Sequence, residues 1–174
     1  MNPFQAICCG AEEVREEPVM PLIEWTDDMS VGLTELDNDH KLIIEAVNQL
    51  DANANDATRK DAVRQCLMRL RRYAEYHFAR EENVMAACAF PAIEVQKSEH
   101  RDFVKRVQET TQRFDAKPAE SAEIISQELL GFLRDWLRHH ILIEDKAYRP
   151  YVEHSAAAKQ AARSFKGAEI WWSQ

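Results

Sequence analysis

The stretch that decides the fold is VRQCLMRLRRYAEYHFAREENVM, residues 63–85. One stripe of residues recurs at steps of three or four, which is the spacing of one face of an α-helix. The members of this stripe are Val63, Leu67, Leu70, Ala74, His77, Glu81 and Met85. A histidine and a glutamate therefore lie on the face that the helix buries. Such groups are costly inside a helical core unless something there satisfies them.

Three further segments repeat this pattern, and each carries a histidine on its apolar face: His40, His100 and His140. The first predicted helix covers about 37–53, with Asp37 as its N-cap, and the second covers about 57–87. The third follows the break at Phe90-Pro91, and the fourth covers about 119–144. Short connections between long amphipathic helices favour antiparallel neighbours. The sequence therefore predicts an all-α protein, an antiparallel up-down-up-down four-helix bundle.

The bundle is flanked by N- and C-terminal extensions. Residues 1–23 carry an acidic patch and no apolar period, residues 24–153 hold the bundle, and Arg149-Pro150 is expected to end the core. The tail 154–174 is rich in alanine and ends in Trp171-Trp172. These extensions are the candidate surfaces for a protein partner.

The composition argues against some classes of function, such as general nucleic-acid binding. The 174 residues suit one domain with tails, and 22 Lys+Arg against 30 Asp+Glu give a formal charge of −8. That balance argues against a general nucleic-acid surface, which favours basic patches. No run approaches the about 18 apolar residues of a membrane span, and no secretory signal is recognisable. We expect a cytoplasmic protein, in which the vicinal Cys8 and Cys9 are a reduced pair.

The spacing of the polar residues indicates a shared site. His77 and Glu81 are four residues apart, as are Gln96 and His100, so each pair shares a helix face. His140 and Asp145 are five apart, which on an ideal α-helix rotates them by about 140°. Both can reach one site only if the helix ends or widens between them.

The donor set points to a pair of metal ions. Imidazole suits iron, copper or zinc, and a carboxylate can bridge two metals. Four imidazoles and two carboxylates are too many for one tetrahedral zinc. They suit two iron ions bridged by Glu81 and Asp145.

Several motifs in order resemble the bacterial hemerythrin (bacteriohemerythrin) family, over about residues 24–152. The motif residues are Trp25, Val31-Gly32 and Asp37-Asn38-Asp39-His40, then His77-Phe78, Glu81-Glu82 and Met85, then Trp136-Leu137, His140-Ile141, Asp145 and Tyr148. The resemblance implies a bundle that holds a non-haem, oxo- or hydroxo-bridged di-iron centre and binds dioxygen reversibly.

Carried over by position, the resemblance implies a role for each residue. His40 and His77 would ligate one iron, which keeps the open position for dioxygen, and His100 and His140 would ligate the other. Glu81 and Asp145 would bridge both. The apolar oxygen pocket would be lined by Ile43, Phe78, Trp136, Leu137 and Ile141.

One position departs from the family, which has a histidine where this chain has Gln96. An amide oxygen is a weaker donor than imidazole for a transition metal. Three outcomes stay open: Gln96 coordinates through its oxygen, a water takes the position, or that iron is lost. Reversible oxygen carriage depends on which of them holds.

The function that we expect is dioxygen binding, for carriage, storage or sensing, by a protein that is not an enzyme. The first alternative is a di-iron enzyme that acts on peroxide, nitric oxide or ferrous iron, because the altered position at Gln96 changes the site. The second is a signalling module whose iron state is read through the terminal extensions.

Overall fold

All regular structure in the described residues is helical. The computed structural model describes residues 20–53 and 57–165 of the chain. The α-helices are α1 (Thr34–Ala52), α2 (Arg59–Ala87), α3 (Ile93–Ala116), α4 (Pro118–His139), α5 (Lys146–Glu153) and α6 (Ala156–Ser164). A 3-10 turn (Asp27–Met29) precedes α1, and a π-helical segment (His140–Asp145) joins α4 to α5.

Helices α1 to α4 form the antiparallel four-helix bundle that the sequence predicts. Each packs against the next along the chain, and α1 contacts α4 to close the bundle. Their apolar stripes fill the interior with fully buried side chains such as Ile43, Leu70, Phe103 and Leu133. Burial of one such side chain contributes about 1.5–3 kcal/mol, so the matched stripes drive the assembly.

The start of α1 differs from the sequence prediction. The helix begins at Thr34, with Leu33 at the N-cap position, so Asp37 is not the N-cap. The Asp37 carboxylate instead accepts hydrogen bonds from Ser30 Oγ (2.7 Å) and from the backbone N–H of Val31 (2.8 Å). A side chain that bonds backwards in this way holds the preceding turn against the first turn of the helix.

The end of the fourth helix also differs. Regular α-helix stops at His139 rather than continuing to residue 144, and the π-helical segment takes its place. Arg149-Pro150 does not end the helical core, because Pro150 lies inside α5. The fully buried Tyr148 and Val152 anchor this helix, and their burial offsets the one backbone hydrogen bond that a proline removes.

Beyond α5 the chain folds back onto the bundle. Ser155 caps α6 by accepting a hydrogen bond from the backbone N–H of Ala158 (3.1 Å), as N-cap residues do. Helix α6 then packs along α2, with Ala158 and Ala162 buried in a cluster that contains Val84 and Met85. The alanine-rich composition of this segment allows the close approach.

Several features of the sequence lie outside the described residues: Cys8, Cys9, the acidic patch at Glu12, Glu13, Glu16 and Glu17, and Trp171-Trp172. Within residues 20–53 and 57–165, no helix is both long and apolar enough to cross a membrane.

Candidate metal centre

Six polar side chains meet in the middle of the bundle, where water does not reach them. Four are the imidazoles of His40, His77, His100 and His140, and two are the carboxylates of Glu81 and Asp145; none exposes more than 2% of its surface. Helices α1, α2 and α3 and the π-helical segment each deliver at least one of these groups. The apolar stripes that build the bundle therefore also bring these groups into one layer.

Glu81 lies at the centre of this layer. Its Oε2 atom is 3.1 Å from His100 Nε2, and it is 3.8 Å from both His77 Nε2 and His140 Nε2. Two sets of ligand-type atoms share this carboxylate, and within each set all atoms lie within 4.8 Å of one another. One set is His40, His77 and Glu81, and the other is Glu81, His100 and His140.

Asp145 makes the second connection between the two sets. Its Oδ2 atom is 3.2 Å from His40 Nε2, and its Oδ1 atom is 3.5 Å from His140 Nε2. The two oxygens of one carboxylate thus face one histidine from each set. Carboxylates in this position can hold two metal ions at once.

The π-helical segment is what brings Asp145 to this position. A π-helix closes hydrogen bonds between residues five apart, so His140 and Asp145 lie one turn from each other on the same side. An α-helix would rotate them apart. The widening that their spacing requires is therefore present, and single π-helical turns often occur at functional sites.

Each of three histidines presents its Nε2 to the centre and its Nδ1 to a carboxylate outside it. His77 Nδ1 is 3.3 Å from Asp39 Oδ2, His100 Nδ1 is 2.9 Å from Glu82 Oε1, and His140 Nδ1 is 2.9 Å from Glu144 Oε2. Carboxylates placed in this way fix the orientation and tautomer of metal-binding imidazoles. Tyr148 OH likewise donates to Glu81 Oε1 (2.6 Å), which fixes the shared carboxylate.

The pKa values of the two central carboxyl groups are shifted in opposite directions. Burial alone would raise the pKa of Glu81, but the imidazoles of His77, His100 and His140 hold it well below its ordinary value. Burial and the neighbouring charge of Glu81 raise the pKa of Asp145 well above its ordinary value. Without metal, these opposite shifts favour a proton on Asp145 over one on Glu81, which avoids two adjacent buried negative charges.

The imidazoles also differ in their pKa values. Burial, aided by the neighbouring His77, lowers the pKa of His40, and burial lowers that of His140. Burial acts the same way on His100, but hydrogen bonds and charges of Glu81 and Glu82 raise its pKa overall. His40 and His140 are thus neutral at neutral pH, which is the form that binds metal.

The buried donor atoms fit a metal better than they fit one another. Within the described part of the chain, eight buried atoms of these six side chains make no hydrogen bond of acceptable geometry: both ring nitrogens of His40, both oxygens of Asp145, Glu81 Oε2, and the Nε2 atoms of His77, His100 and His140. Leaving such groups dry and unpaired costs about 1–3 kcal/mol each. Imidazole nitrogens and carboxylate oxygens together are suitable ligands for iron.

Gln96 lies one turn before His100 on α3 and is 4% exposed. Its Oε1 atom is buried and has no hydrogen-bond partner among the described residues. The structure therefore puts an unsatisfied neutral oxygen on the helix face that carries His100.

An apolar and aromatic wall packs against the histidines. The Phe78 ring stacks on His100 with 3.9 Å between ring centroids, and Trp136 stacks on His140 at 4.3 Å. Ile43, Leu137 and Ile141 are at most 1% exposed and belong to the same core cluster as Phe78. Of the five residues that the resemblance assigns to the oxygen pocket, four thus belong to this core, and the partly buried Trp136 packs against it.

Several residues around the centre were given no role from the sequence. Asp39, Glu82 and Tyr148 were named only as part of the motifs, and Glu144 and Arg80, which donates to Asp39, were not singled out. The spacing of four residues between His140 and Glu144 was an available indication. The partners of His77, His100 and Glu81 come from other helices, so sequence spacing gives no indication of them. His139 is largely exposed, as its position off the stripe predicts.

Comparison with known proteins agrees with this geometry. Residues 31–152 match the family model described as the hemerythrin HHE cation binding domain. The chain is 36% identical over 134 residues to the bacteriohemerythrin of Stenotrophomonas maltophilia, which covers 77% of this chain and 84% of that protein. It is 34% identical over 136 residues to the bacteriohemerythrin of Pseudomonas aeruginosa, covering 78% and 85%.

A third bacteriohemerythrin gives the same result. The bacteriohemerythrin of Clostridium acetobutylicum is 30% identical over 128 residues, which cover 71% of this chain and 96% of that protein. The family match takes in every candidate ligand from His40 to Asp145. The chain therefore belongs to the hemerythrin family, as a bacteriohemerythrin-like protein with a hemerythrin-type iron-binding domain.

Proposed function

We propose that the centre holds two iron ions and binds dioxygen. His40 and His77 would hold one iron, His100 and His140 the other, and Glu81 and Asp145 would bridge both. The observation that carries this proposal is the sharing of carboxylates. Glu81 lies within 4 Å of His77, His100 and His140, and Asp145 faces His40 and His140 with its two oxygens.

Gln96 completes the proposed ligand set. The two sets of donors contain two imidazoles each, so the iron held by His100 and His140 has room for a further ligand. The buried Gln96 oxygen lies on the same helix face and has no hydrogen-bond partner within residues 20–53 and 57–165. We assign this oxygen, or a water that it holds, to that position.

When bound, the iron pair supplies the electrons by which dioxygen is held and released. The chain's own part is to keep the site dry and in place. Phe78 and Trp136 cover the faces of two imidazoles, while Ile43, Leu137 and Ile141 surround the layer with aliphatic carbon. Exclusion of water slows the proton-driven side reactions that would consume dioxygen.

The test is reversibility. Protein loaded with ferrous iron under reducing conditions should hold about two iron ions per chain. On exposure to air it should gain a visible charge-transfer band. The band should disappear under vacuum and return over repeated cycles. His77→Ala should lose iron and the band, whereas the exposed His139→Ala should keep both. A wild-type protein that binds no iron, or whose band never reverses, contradicts the proposal.

An enzyme is the second candidate, and Gln96 is the observation that favours it. A neutral amide in place of an imidazole leaves that iron with a weaker ligand, which is open to exchange with a substrate. The substrate classes that suit such a centre are peroxide, nitric oxide and ferrous iron. Turnover of one of these by the iron-loaded protein, together with irreversible oxidation in air, would favour the enzyme over the oxygen-binding protein.

A further inference from the structure

A line of contacts runs from the C-terminal helix α6 to the proposed iron ligand His77. Arg80 on α2 donates from Nη1 to Asp39 Oδ2 (2.7 Å), and the same Asp39 oxygen is 3.3 Å from His77 Nδ1. On its other side, the Arg80 guanidinium lies 5.7 Å from the centre of the Phe165 ring, directly after α6. We propose that Arg80 is a positioning residue that acts on His77 through Asp39, and that α6 with Phe165 keeps this pair out of water.

The first step is the orientation of His77. Its Nε2 faces Glu81 at 3.8 Å, and its Nδ1 faces Asp39, so the ring spans the space between the two carboxylates. A proton shared between Nδ1 and Asp39 leaves Nε2 free to bind metal. The Tyr73 ring, stacked at 4.4 Å, restricts rotation of the imidazole about this axis. The contact with Asp39 therefore selects both the tautomer and the position of Nε2.

The second step is the fixing of Asp39 itself. Arg80 Nη1 also lies 3.3 Å from the backbone carbonyl oxygen of Glu35, to which it donates, one turn before Asp39 on α1. The rigid guanidinium thus ties α2 to α1 at the point where Asp39 meets His77. Asp39 and Arg80 are only 3% and 6% exposed. A buried pair of this kind is a poor source of stability, and its better-attested use is to impose one geometry.

This arrangement distinguishes His77 from the two histidines whose outer partners are glutamates. Glu82 and Glu144, which contact His100 and His140, have side chains that are 32% and 18% exposed. Asp39 instead shares its charge with a buried arginine. The imidazole of His77 therefore contacts a carboxylate whose charge is partly neutralised. It is a weaker electron donor to its iron than His100 and His140 are to theirs.

The third step is the cover over Arg80. Ala158 and Ala162 bury α6 against α2, and Arg163 Nε lies 3.8 Å from Glu35 Oε1, next to the carbonyl that Arg80 contacts. The Phe165 ring then lies against the guanidinium, a favourable cation–π contact. Because water weakens ion pairs by screening them, this cover keeps the Arg80–Asp39 contact strong.

The test replaces the pair rather than breaking it. In the full-length double variant Asp39→Leu/Arg80→Met, apolar groups of similar size replace both charges, which is often neutral or stabilising for the fold. We expect the unfolding temperature of the metal-free protein to stay near that of wild type. The dissociation constant for ferrous ion, measured by chelator competition, should rise about 10- to 100-fold, and the charge-transfer band should shift. Wild-type affinity and an unchanged band in this variant would overturn the proposal.

A second variant covers the case in which the double variant does not fold. Arg80→Lys keeps the charge, but its Nζ atom ends one bond short of the position of Nη1, the atom that donates to both Asp39 and Glu35. It should weaken iron binding and shift the band, and wild-type values for both would overturn the proposal. Arg149→Met is the matched control, since that arginine also bonds a carboxylate and a backbone carbonyl but leads to Glu153 and Ser30 rather than to a histidine. It should leave the band in place.

The role of α6 has its own measurement. Phe165→Ala uncovers Arg80 without touching Asp39, so iron should dissociate several-fold faster. An unchanged rate would overturn the role of the cover.

The inference rests on the proposed function, and the variant His77→Ala distinguishes failure of one from failure of the other. Full iron content in His77→Ala contradicts the proposed function itself. Loss of iron there, with none of these effects in the double variant or Arg80→Lys, contradicts only the role of Arg80.

Discussion

Asp145 lies one π-helical turn after His140, and its Oδ1 atom is 3.5 Å from His140 Nε2. The same carboxylate faces His40 on α1 with its other oxygen, 3.2 Å from Nε2. The additional residue in the π-helical turn thus places the Asp145 carboxylate between the first and the last helices of the bundle. The proposed iron pair depends on this connection.

Asp145→Asn tests that connection. The amide keeps the shape of the side chain but loses the negative charge that would hold two cations together. We expect iron content to fall to about half of the wild-type value or less, measured by elemental analysis after desalting. Asp135→Asn, an exposed position on α4, is the control and should retain wild-type iron. Full iron content in Asp145→Asn would show that Glu81 alone suffices.

Gln96→His tests the position at which this chain departs from its family. An imidazole is the stronger ligand, so we expect tighter iron binding and a changed charge-transfer spectrum. Gln112→His, exposed on the same helix, should change neither. If Gln96→His has the iron content, affinity and spectrum of wild type, Gln96 does not take part in the centre.

Iron binding should compete with protons. The pKa of Asp145 is raised by burial and by the charge of Glu81, and that of His100 is raised by Glu81 and Glu82 against the effect of burial. Both groups hold a proton to higher pH than usual, and iron must displace it. Affinity for ferrous ion should therefore increase from about pH 6 to about pH 8, with release of protons on binding. Chelator competition across this range measures it, and a flat profile would contradict the expectation.

Tyr148→Phe should destabilise the protein without a change in its packing volume. The hydroxyl donates to Glu81 Oε1 at 2.6 Å, and both groups are fully buried. Its loss leaves a buried carboxylate oxygen without a donor, at a cost of about 1–3 kcal/mol in the free energy of unfolding. Denaturant titration of the metal-free protein measures this cost. Tyr151→Phe, at a 42% exposed position on the same helix, should be close to wild type, and equal stabilities of the two variants would refute the argument.

Removal of iron should lower the unfolding temperature. Seven buried donor atoms, one from each of the four imidazoles and three from Glu81 and Asp145, have no hydrogen-bond partner among the described residues and can be satisfied by bound metal. A ligand present at about 100 times its dissociation constant stabilises a fold by about 2.7 kcal/mol. Calorimetry before and after chelation, followed by readdition of ferrous ion, measures the difference. Equal unfolding temperatures, with no uptake of ferrous ion, would remove the basis for a metal centre.

The fold and the convergence of the donor residues were predictable because both follow from helical periodicity. The stripe through Leu70 and His77 and its counterparts on the other helices fixed which faces turn inward. The helix ends were less predictable. Asp37 looked like an N-cap from its residue type, but its side chain bonds to Ser30 and Val31 in the preceding turn. Pro150 looked like a helix end, but the burial of Tyr148 and Val152 carries α5 past it.

By itself, the sequence determined four amphipathic helices and the residues that each turns towards the core, since these depend on spacing along one element. Only the tertiary structure decided which outer partner each histidine has and how the last carboxylate reaches the centre. Asp39 meets His77 from 38 residues away, and Tyr148 meets Glu81 from 67 residues away. Contacts of that kind arise from the packing of one helix against another, and the π-helical turn at His140–Asp145 that brings the last carboxylate to the centre departs from the regular α-helical period on which the sequence prediction depends.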